Sequence, residues 1–225
     1  GSLVDFLAAQ MKKLKVAVRI CKEATMADVE ELNPDVVILA TGASATVPEV
    51  VKGRGGVMTH EEALRKKREI GQKVVVWGLF GAELAVSLAE EGREVVLIGG
   101  GGEGSLASDL PRSRRFWLMR KLTDVNVVRE SPEAMRVSNP EVLYNVDVEK
   151  VTPEGIGIVD NDGKKKVIAC DTLILSQRFG ERERNDSLFD ELLGKVADVY
   201  KIGDCSKVSD IKNAIWGVNE VARKI

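Results

Sequence analysis

Two glycine turns, each directly behind a run of apolar residues, constrain this chain more than any other feature. The first lies in Val74-Val75-Val76-Trp77-Gly78-Leu79-Phe80-Gly81-Ala82-Glu83. It reads as a buried strand, a tight turn and a helix whose free N–H groups can face a phosphate. The second, Val199-Tyr200-Lys201-Ile202-Gly203-Asp204-Cys205, reads as a strand ending in a turn that carries a carboxylate. A strand that feeds a turn and then a helix packs back onto a parallel sheet, so the pair points to an α/β, nucleotide-type architecture.

Length and charge narrow the choice. At 225 residues the chain can bury an ordinary core without disulfides or a structural metal. A net charge of -2 and a pI near 5.7 supply no positive field, so no nucleic acid and no anionic membrane is an expected partner. Cys21, Cys170 and Cys205 form no CxxC pair, which fits a reducing compartment and argues against a zinc or iron–sulfur site. His60 is the single histidine, which rules out a histidine-rich metal centre. With no run of about 20 apolar residues and no secretory leader, a cytoplasmic location is expected.

Periodicity then orders the elements. Leu3, Phe6, Leu7, Met11 and Leu14 recur at helical spacing, and residues 16–20 read as a strand. A short helix follows at 25–32 with Thr25 as its cap, then a nearly all-apolar strand at 35–40 that is expected to be central and parallel. Thr59 is placed to cap another helix. Residues 73–77 and 94–98 flank a helix at 81–91 as a βαβ unit, with a helix at 114–122 and a strand at 125–128 beyond it. Strands at 142–148, 155–160 and 165–169 alternate as an antiparallel segment, with Asn161-Asp162-Gly163 as the hairpin turn. A core strand at 171–176, a charged loop at 181–186, a strand at 199–202 and a helix at 210–224 complete the chain.

The sequences Pro34-Asp35-Val36-Val37-Ile38-Leu39-Ala40-Thr41-Gly42-Ala43, the βαβ unit, Asp171-Thr172-Leu173-Ile174-Leu175-Ser176 and Ile202-Gly203-Asp204-Cys205 follow one another in a telling order. That order resembles the flavoprotein pyridine nucleotide-disulfide reductase superfamily. Asp204-Cys205-Ser206-Lys207 followed by Ile211-Lys212-Asn213-Ala214-Ile215-Trp216 is similar, more narrowly, to the C-terminal FAD/NAD(P)-binding region of the 2,4-dienoyl-CoA reductase, trimethylamine dehydrogenase and 2-enoate reductase family. The resemblance implies two Rossmann-like three-layer domains. An outer FAD/ADP-binding-type domain would comprise residues 1–67 and 140–225, lack its N-terminal strand and glycine loop, and carry the added antiparallel β segment. An inserted NAD(P)-binding-type domain would occupy 68–139. The two outer segments are expected to share one sheet.

In that family an N-terminal barrel of the same polypeptide holds FMN, an iron–sulfur cluster and the substrate chemistry, and it would be the missing partner of this chain. FAD and NAD(P) are the cofactors implied for the parent. The family's first flavin-domain strand and its GxGxxG turn would precede residue 1. The isolated chain is therefore expected to hold little or no FAD and to be inactive.

Residue by residue, Thr41, Gly42 and Ala43 match the family's small-residue crossover beside the flavin. Gly203 and Asp204 match its GD motif, in which the acid accepts a hydrogen bond from the ribitol and the next helix points at the pyrophosphate. Gly78, Gly81 and Glu83 match the dinucleotide turn, shortened by about two residues relative to GxGxxG. Phe80 is expected to place its ring where pyrophosphate would lie, occluding a contracted turn; alternatively, these glycines serve a plain crossover. The strand at 94–98 ends at Gly99, where an NAD site presents an acid. Arg93, Arg112, Arg114 and Arg115 suit a 2′-phosphate or are solvated charge. No catalytic acid–base or nucleophilic set emerges: His60 reads as a surface or capping residue and Cys205 as packing.

Three functions fit these observations. The first is the nucleotide-binding portion of an NAD(P)H-dependent flavoprotein oxidoreductase. The second is a non-catalytic ADP-binding or structural module. The third is an interaction subunit whose open half-sheet pairs with another chain, a homo-oligomer included.

Overall fold

The computed structural model describes residues 2–108, 110–123, 140–176 and 182–225. Helix α1 (Leu3–Lys13) starts at a Ser2–Asp5 capping box, and α2 (Met26–Leu32) at the Thr25–Asp28 box. In each, the cap hydroxyl and the acid three residues on satisfy two otherwise unpaired N–H groups. Strands β1 (Val36–Leu39), β2 (Ser44–Ala45) and β3 (Val57–Thr59) lead to α3 (His60–Arg65), again capped by a Thr59–Glu62 box. Next come β4 (Lys73–Trp77), α4 (Ala82–Glu90), β5 (Glu94–Gly99) and α5 (Arg112–Thr123). Strands β6 (Glu141–Tyr144), β7 (Val146–Thr152), β8 (Gly155–Asp160), β9 (Lys165–Ala169) and β10 (Thr172–Leu175) follow. The chain closes with β11 (Arg182–Glu183), α6 (Ser187–Leu192), β12 (Asp198–Lys201) and α7 (Ile211–Ala222).

The centre is a five-stranded, all-parallel sheet in the order β3-β10-β4-β5-β6. Side-chain alternation divides its apolar residues between two cores. Val74, Val76, Val95, Leu97 and Ile174 face the helical layer, where they meet Ala82, Ala85, Leu88 and Leu118. Val75, Ile98, Leu173 and Leu175 face the opposite way and pack on Val146, Ile156, Ile158 and Ile168 of the antiparallel sheet β7-β8-β9. Since both faces are covered, the strands can be apolar throughout. The result is an α/β fold with Rossmann-like parallel sheets.

A smaller unit pairs β1 with β12 in parallel, Val36 against Asp198 through Leu39 against Lys201. Leu39, Leu192 and Cys205 are its buried centre, with Met26, Val29, Phe189 and Val199 against them. A two-residue bridge, β2 antiparallel to β11, lies between the chain segments that enter and leave the central unit.

The structure corrects four expectations. Residues 16–20 form no strand, and Val16, Val18 and Ile20 are exposed; a strand needs a neighbour for its N–H and C=O groups, and this segment has none among the described residues. Strand β1 is not central, because among the described residues its sheet has only β12 beside it. The stretch 142–148 is two strands: Asn145 turns left-handed at φ 54°, so β6 completes the parallel sheet and β7 begins the antiparallel one. The boundaries at 67/68 and 139/140 cut through one sheet, since β3, β6 and β10 all hydrogen-bond within the central unit and the antiparallel segment covers that unit's face. The expected strand at 125–128 lies outside the described residues.

Leu97 is fully buried between β5 and the helical layer, whereas Val167 is 64% exposed. Leu97→Ala is expected to lower unfolding free energy by about 2–5 kcal/mol, against less than about 0.5 kcal/mol for Val167→Ala, as read from urea denaturation midpoints.

Candidate functional site

Strands β4, β5 and β10 end at the same edge, and their last hydrogen bonds fix the turns beyond it. Ser176 N donates to Trp77 O at 2.8 Å, and Gly78 N donates to Ile98 O at 2.8 Å. Gly78 adopts φ 119°, and a Cβ there would lie 1.8 Å from the Ser176 carbonyl oxygen. At Gly81 a Cβ would lie 2.4 Å from Val76 Cγ1 and 2.9 Å from Ser176 Oγ. Both glycines thus allow the β4–α4 turn to close onto the end of β10. Between them the chain makes a single 3₁₀ turn, Leu79–Gly81, and α4 begins at Gly81 without a side-chain cap.

Above this turn lies a cleft of about 400 Å³, lined by Gly78, Leu79, Gly99, Gly100, Gly101 and Ser176 among others. Ligands of open parallel sheets bind outside the carboxyl ends of the strands, which is where this cleft sits. Phe80 does not line it. Its ring lies against His60, with centroids 5.6 Å apart.

His60 is the residue that the sequence reading missed. Its Nδ1 lies 2.9 Å from Ser176 Oγ, and the two residues are 116 positions apart. Ser176 is buried and lines the cleft, so the imidazole holds the cleft's floor from behind. Burial pushes the His60 pKa below its ordinary value, opposed by the charges of Glu61 and Glu83. The sole local hint was the Thr59 cap, which explained His60 as a first-turn residue and concealed its tertiary partner.

The charged candidates are largely engaged. Arg114 grips exposed Glu83 with two bonds, Nε at 2.6 Å and Nη2 at 2.9 Å. Arg115 donates to Leu106 O at 3.0 Å and Gly104 O at 3.2 Å, bracing the loop beyond β5. Arg93 precedes β5 and pairs with Glu91 and the Lys67 carbonyl. It therefore lies at the sheet edge opposite the cleft, which removes it as a 2′-phosphate ligand.

The second set of expected residues converges at the other sheet. Because β1 and β12 pair in parallel, Thr41-Gly42-Ala43 and Gly203-Asp204 leave the same edge. Ile202 N and Cys205 Sγ both donate to Leu39 O, at 2.9 and 3.1 Å, and fasten the two turns together. Gly42 (φ 75°) would have nothing within 4 Å of a Cβ, and Gly203 (φ 64°) only Ala214 Cβ at 3.9 Å, so both turns are open on one side. Half-buried Asp204 accepts from Ser209 N at 3.2 Å, which orients its carboxylate. The next helix, α7, is already capped by Asp210, which accepts from Asn213 N at 2.8 Å. At the start of α4 the first-turn Glu83 is turned to Arg114, and the Gly81 and Ala82 N–H groups are bonded to Gly78 O and Leu79 O.

Among the described residues no cluster of three or more His, Cys, Asp and Glu could hold a metal, and no helix is long and apolar enough to cross a membrane.

No family model matches the chain. It is 26% identical over its whole length to a cinnamate reductase of Clostridium sporogenes, of which it covers 31%. It is 26% identical to an NADH oxidase of Thermoanaerobacter brockii, with 98% of this chain and 32% of the relative aligned. A bilirubin reductase of Mediterraneibacter gnavus is 29% identical over 93% of this chain and 30% of its own length. Among solved structures, a 2-naphthoyl-CoA reductase superposes with a TM-score of 0.79 over 99% of this chain and 32% of its own, at 24% identity. These likenesses place the chain in the flavoprotein pyridine-nucleotide oxidoreductase superfamily. At the level of that superfamily the likeness supports a nucleotide-binding role associated with FAD and NAD(P). The chain spans about a third of the length of these three curated relatives.

Two outcomes are expected. Gly78→Ala should destabilise the fold by more than about 3 kcal/mol, since strain at positive φ adds to a clash with backbone. Gly104→Ala, with open space around it, should stay within about 0.5 kcal/mol in the same denaturation experiment. For His60, a folded pKa below the unfolded 6.5 means that the unfolded chain takes up the proton first as pH falls. Stability is then complete above pH 6.5 and declines below it. His60 is the only histidine, so the denaturation midpoint of His60→Gln should fall less between pH 7.5 and 5.5 than that of the parent. Equal declines would contradict this account.

Proposed function

We propose that the chain is the nucleotide-binding portion of an NAD(P)H-dependent flavoprotein oxidoreductase of the 2,4-dienoyl-CoA reductase, trimethylamine dehydrogenase and 2-enoate reductase family. The observation that carries this reading is the cleft over Gly78 at the carboxyl edge of the parallel sheet, accompanied by a second pair of open turns at the edge of the β1–β12 sheet. In the full-length parent, hydride passes between nicotinamide and flavin. This chain's residues bind and orient. Gly78 and Gly81 bring the backbone close, the positive end of α4 points its field toward a phosphate, and Ser176, held by His60, forms the floor.

The flavin-side reading assigns Asp204 as an acceptor for a sugar hydroxyl and Thr41, Gly42 and Ala43 as the small-residue wall beside it. Neither turn supplies phosphate donors on the scale of a glycine loop, and Asp210 opposes an anion at α7. The isolated chain is therefore proposed to bind FAD weakly and to turn nothing over, with the remaining FAD contacts in the first strand and glycine loop of the flavin-type domain and the substrate chemistry in an N-terminal barrel of the same polypeptide. Glu83 acts indirectly, by holding Arg114.

Calorimetric titration of the purified chain with FAD, ADP, NADH and NADPH tests this proposal. Binding of at least one nicotinamide dinucleotide with weak or absent FAD binding is expected. Tight stoichiometric FAD binding would contradict the proposed weakness of the flavin site, and ADP binding without either nicotinamide nucleotide would favour a non-catalytic ADP module.

A further inference from the structure

The strand that should present the ribose-binding acid ends in glycine, yet the fold brings a carboxylate to that place from another strand. Gly100, just beyond β5, lines the cleft. A Cβ at Gly100 would lie 3.3 Å from Asp147 Oδ1, so the Asp147 carboxylate fills the space into which a side chain at position 100 would project. Two backbone contacts hold it there. Gly99 pairs with Tyr144 at the end of β6, and Asn145 N donates to Gly101 O at 3.1 Å, just before β7 places Asp147 beside the loop. Asp147 is exposed, and among the described residues no hydrogen bond or ion pair engages its carboxylate.

We infer that Asp147 is the diol-binding and specificity-determining acid of this cleft, supplied by β7 in place of the missing acid at the end of β5. The inference rests on the nucleotide reading of the cleft. A carboxylate accepts hydrogen bonds from the 2′- and 3′-hydroxyls of an adenosine ribose and repels a 2′-phosphate. Arg115, the nearby cation that would favour a phosphate, is committed to the Leu106 and Gly104 carbonyls. The cleft thus selects NADH over NADPH.

Titrations of the parent chain, Asp147→Asn and a double variant, Asp147→Ala with Gly100→Asp, against NADH and NADPH decide the matter. The parent is expected to bind NADH about tenfold or more tightly than NADPH, the usual consequence of losing a charge-assisted hydrogen bond. In D147N the preference should collapse toward equality through weaker NADH binding, with an unchanged denaturation midpoint. The double variant moves the acid back to the β5 side and relieves the crowding at Gly100, so it should restore the preference. A parent that favours NADPH, or a D147N variant that keeps the full NADH preference, would overturn the assignment and leave the nucleotide reading intact. Failure of the parent to bind either dinucleotide would overturn that reading, and this assignment with it.

Discussion

Everything at the cleft depends on how strand β10 enters the sheet. It lies between β3 and β4, fully buried on both faces, and its continuation at Ser176 is drawn against the β4–α4 turn. That contact is possible only because residues 78 and 81 lack side chains. The glycines are therefore required for the fold before any ligand is considered, and a phosphate-sized approach to the backbone comes as a consequence of the same geometry. Burial of Leu173, Ile174 and Leu175 supplies the driving force, at about 1.5–3 kcal/mol for each fully buried side chain.

The βαβ unit was legible because every determinant is local. Consecutive valines mark β4, the alanine- and leucine-rich run marks α4, and glycine marks the turn between them. The capping boxes at Thr25 and Thr59 were equally readable, since donor and acceptor lie three residues apart. Sheet membership was not legible. Leu173 pairs with Val75 on one side and Val57 on the other, and an apolar run carries no label naming its neighbours. The same limit concealed the His60–Ser176 bond. Asn145 did carry a signal that was overlooked, because asparagine inside an alternating run favours the left-handed turn that splits β6 from β7.

The two candidate sites differ in how finished they are. The cleft over Gly78 has a floor, a helix start and a nearby acid within one continuous unit. The turns at Gly42 and Gly203 are open, and α7, which follows the second of them, keeps Ile211, Ile215 and Trp216 exposed, as α1 does Phe6, Leu7 and Met11. Lys212 lies over the Trp216 ring, and the small core around Leu39 is the buried centre of the β1–β12 unit. The proposed function takes the first as the nicotinamide-type site and the second as part of a flavin-type one.

Backbone chemical-shift mapping of the isotope-labelled chain during titration with NADH tests the central claim most directly. The account predicts the largest changes at the amides of Gly78, Leu79, Gly81 and Ala82 and of Gly99, Gly100 and Gly101, with the amides around Gly42 and Gly203 nearly still. Shifts concentrated at the β1–β12 edge, or an unchanged spectrum at saturating dinucleotide, would contradict it.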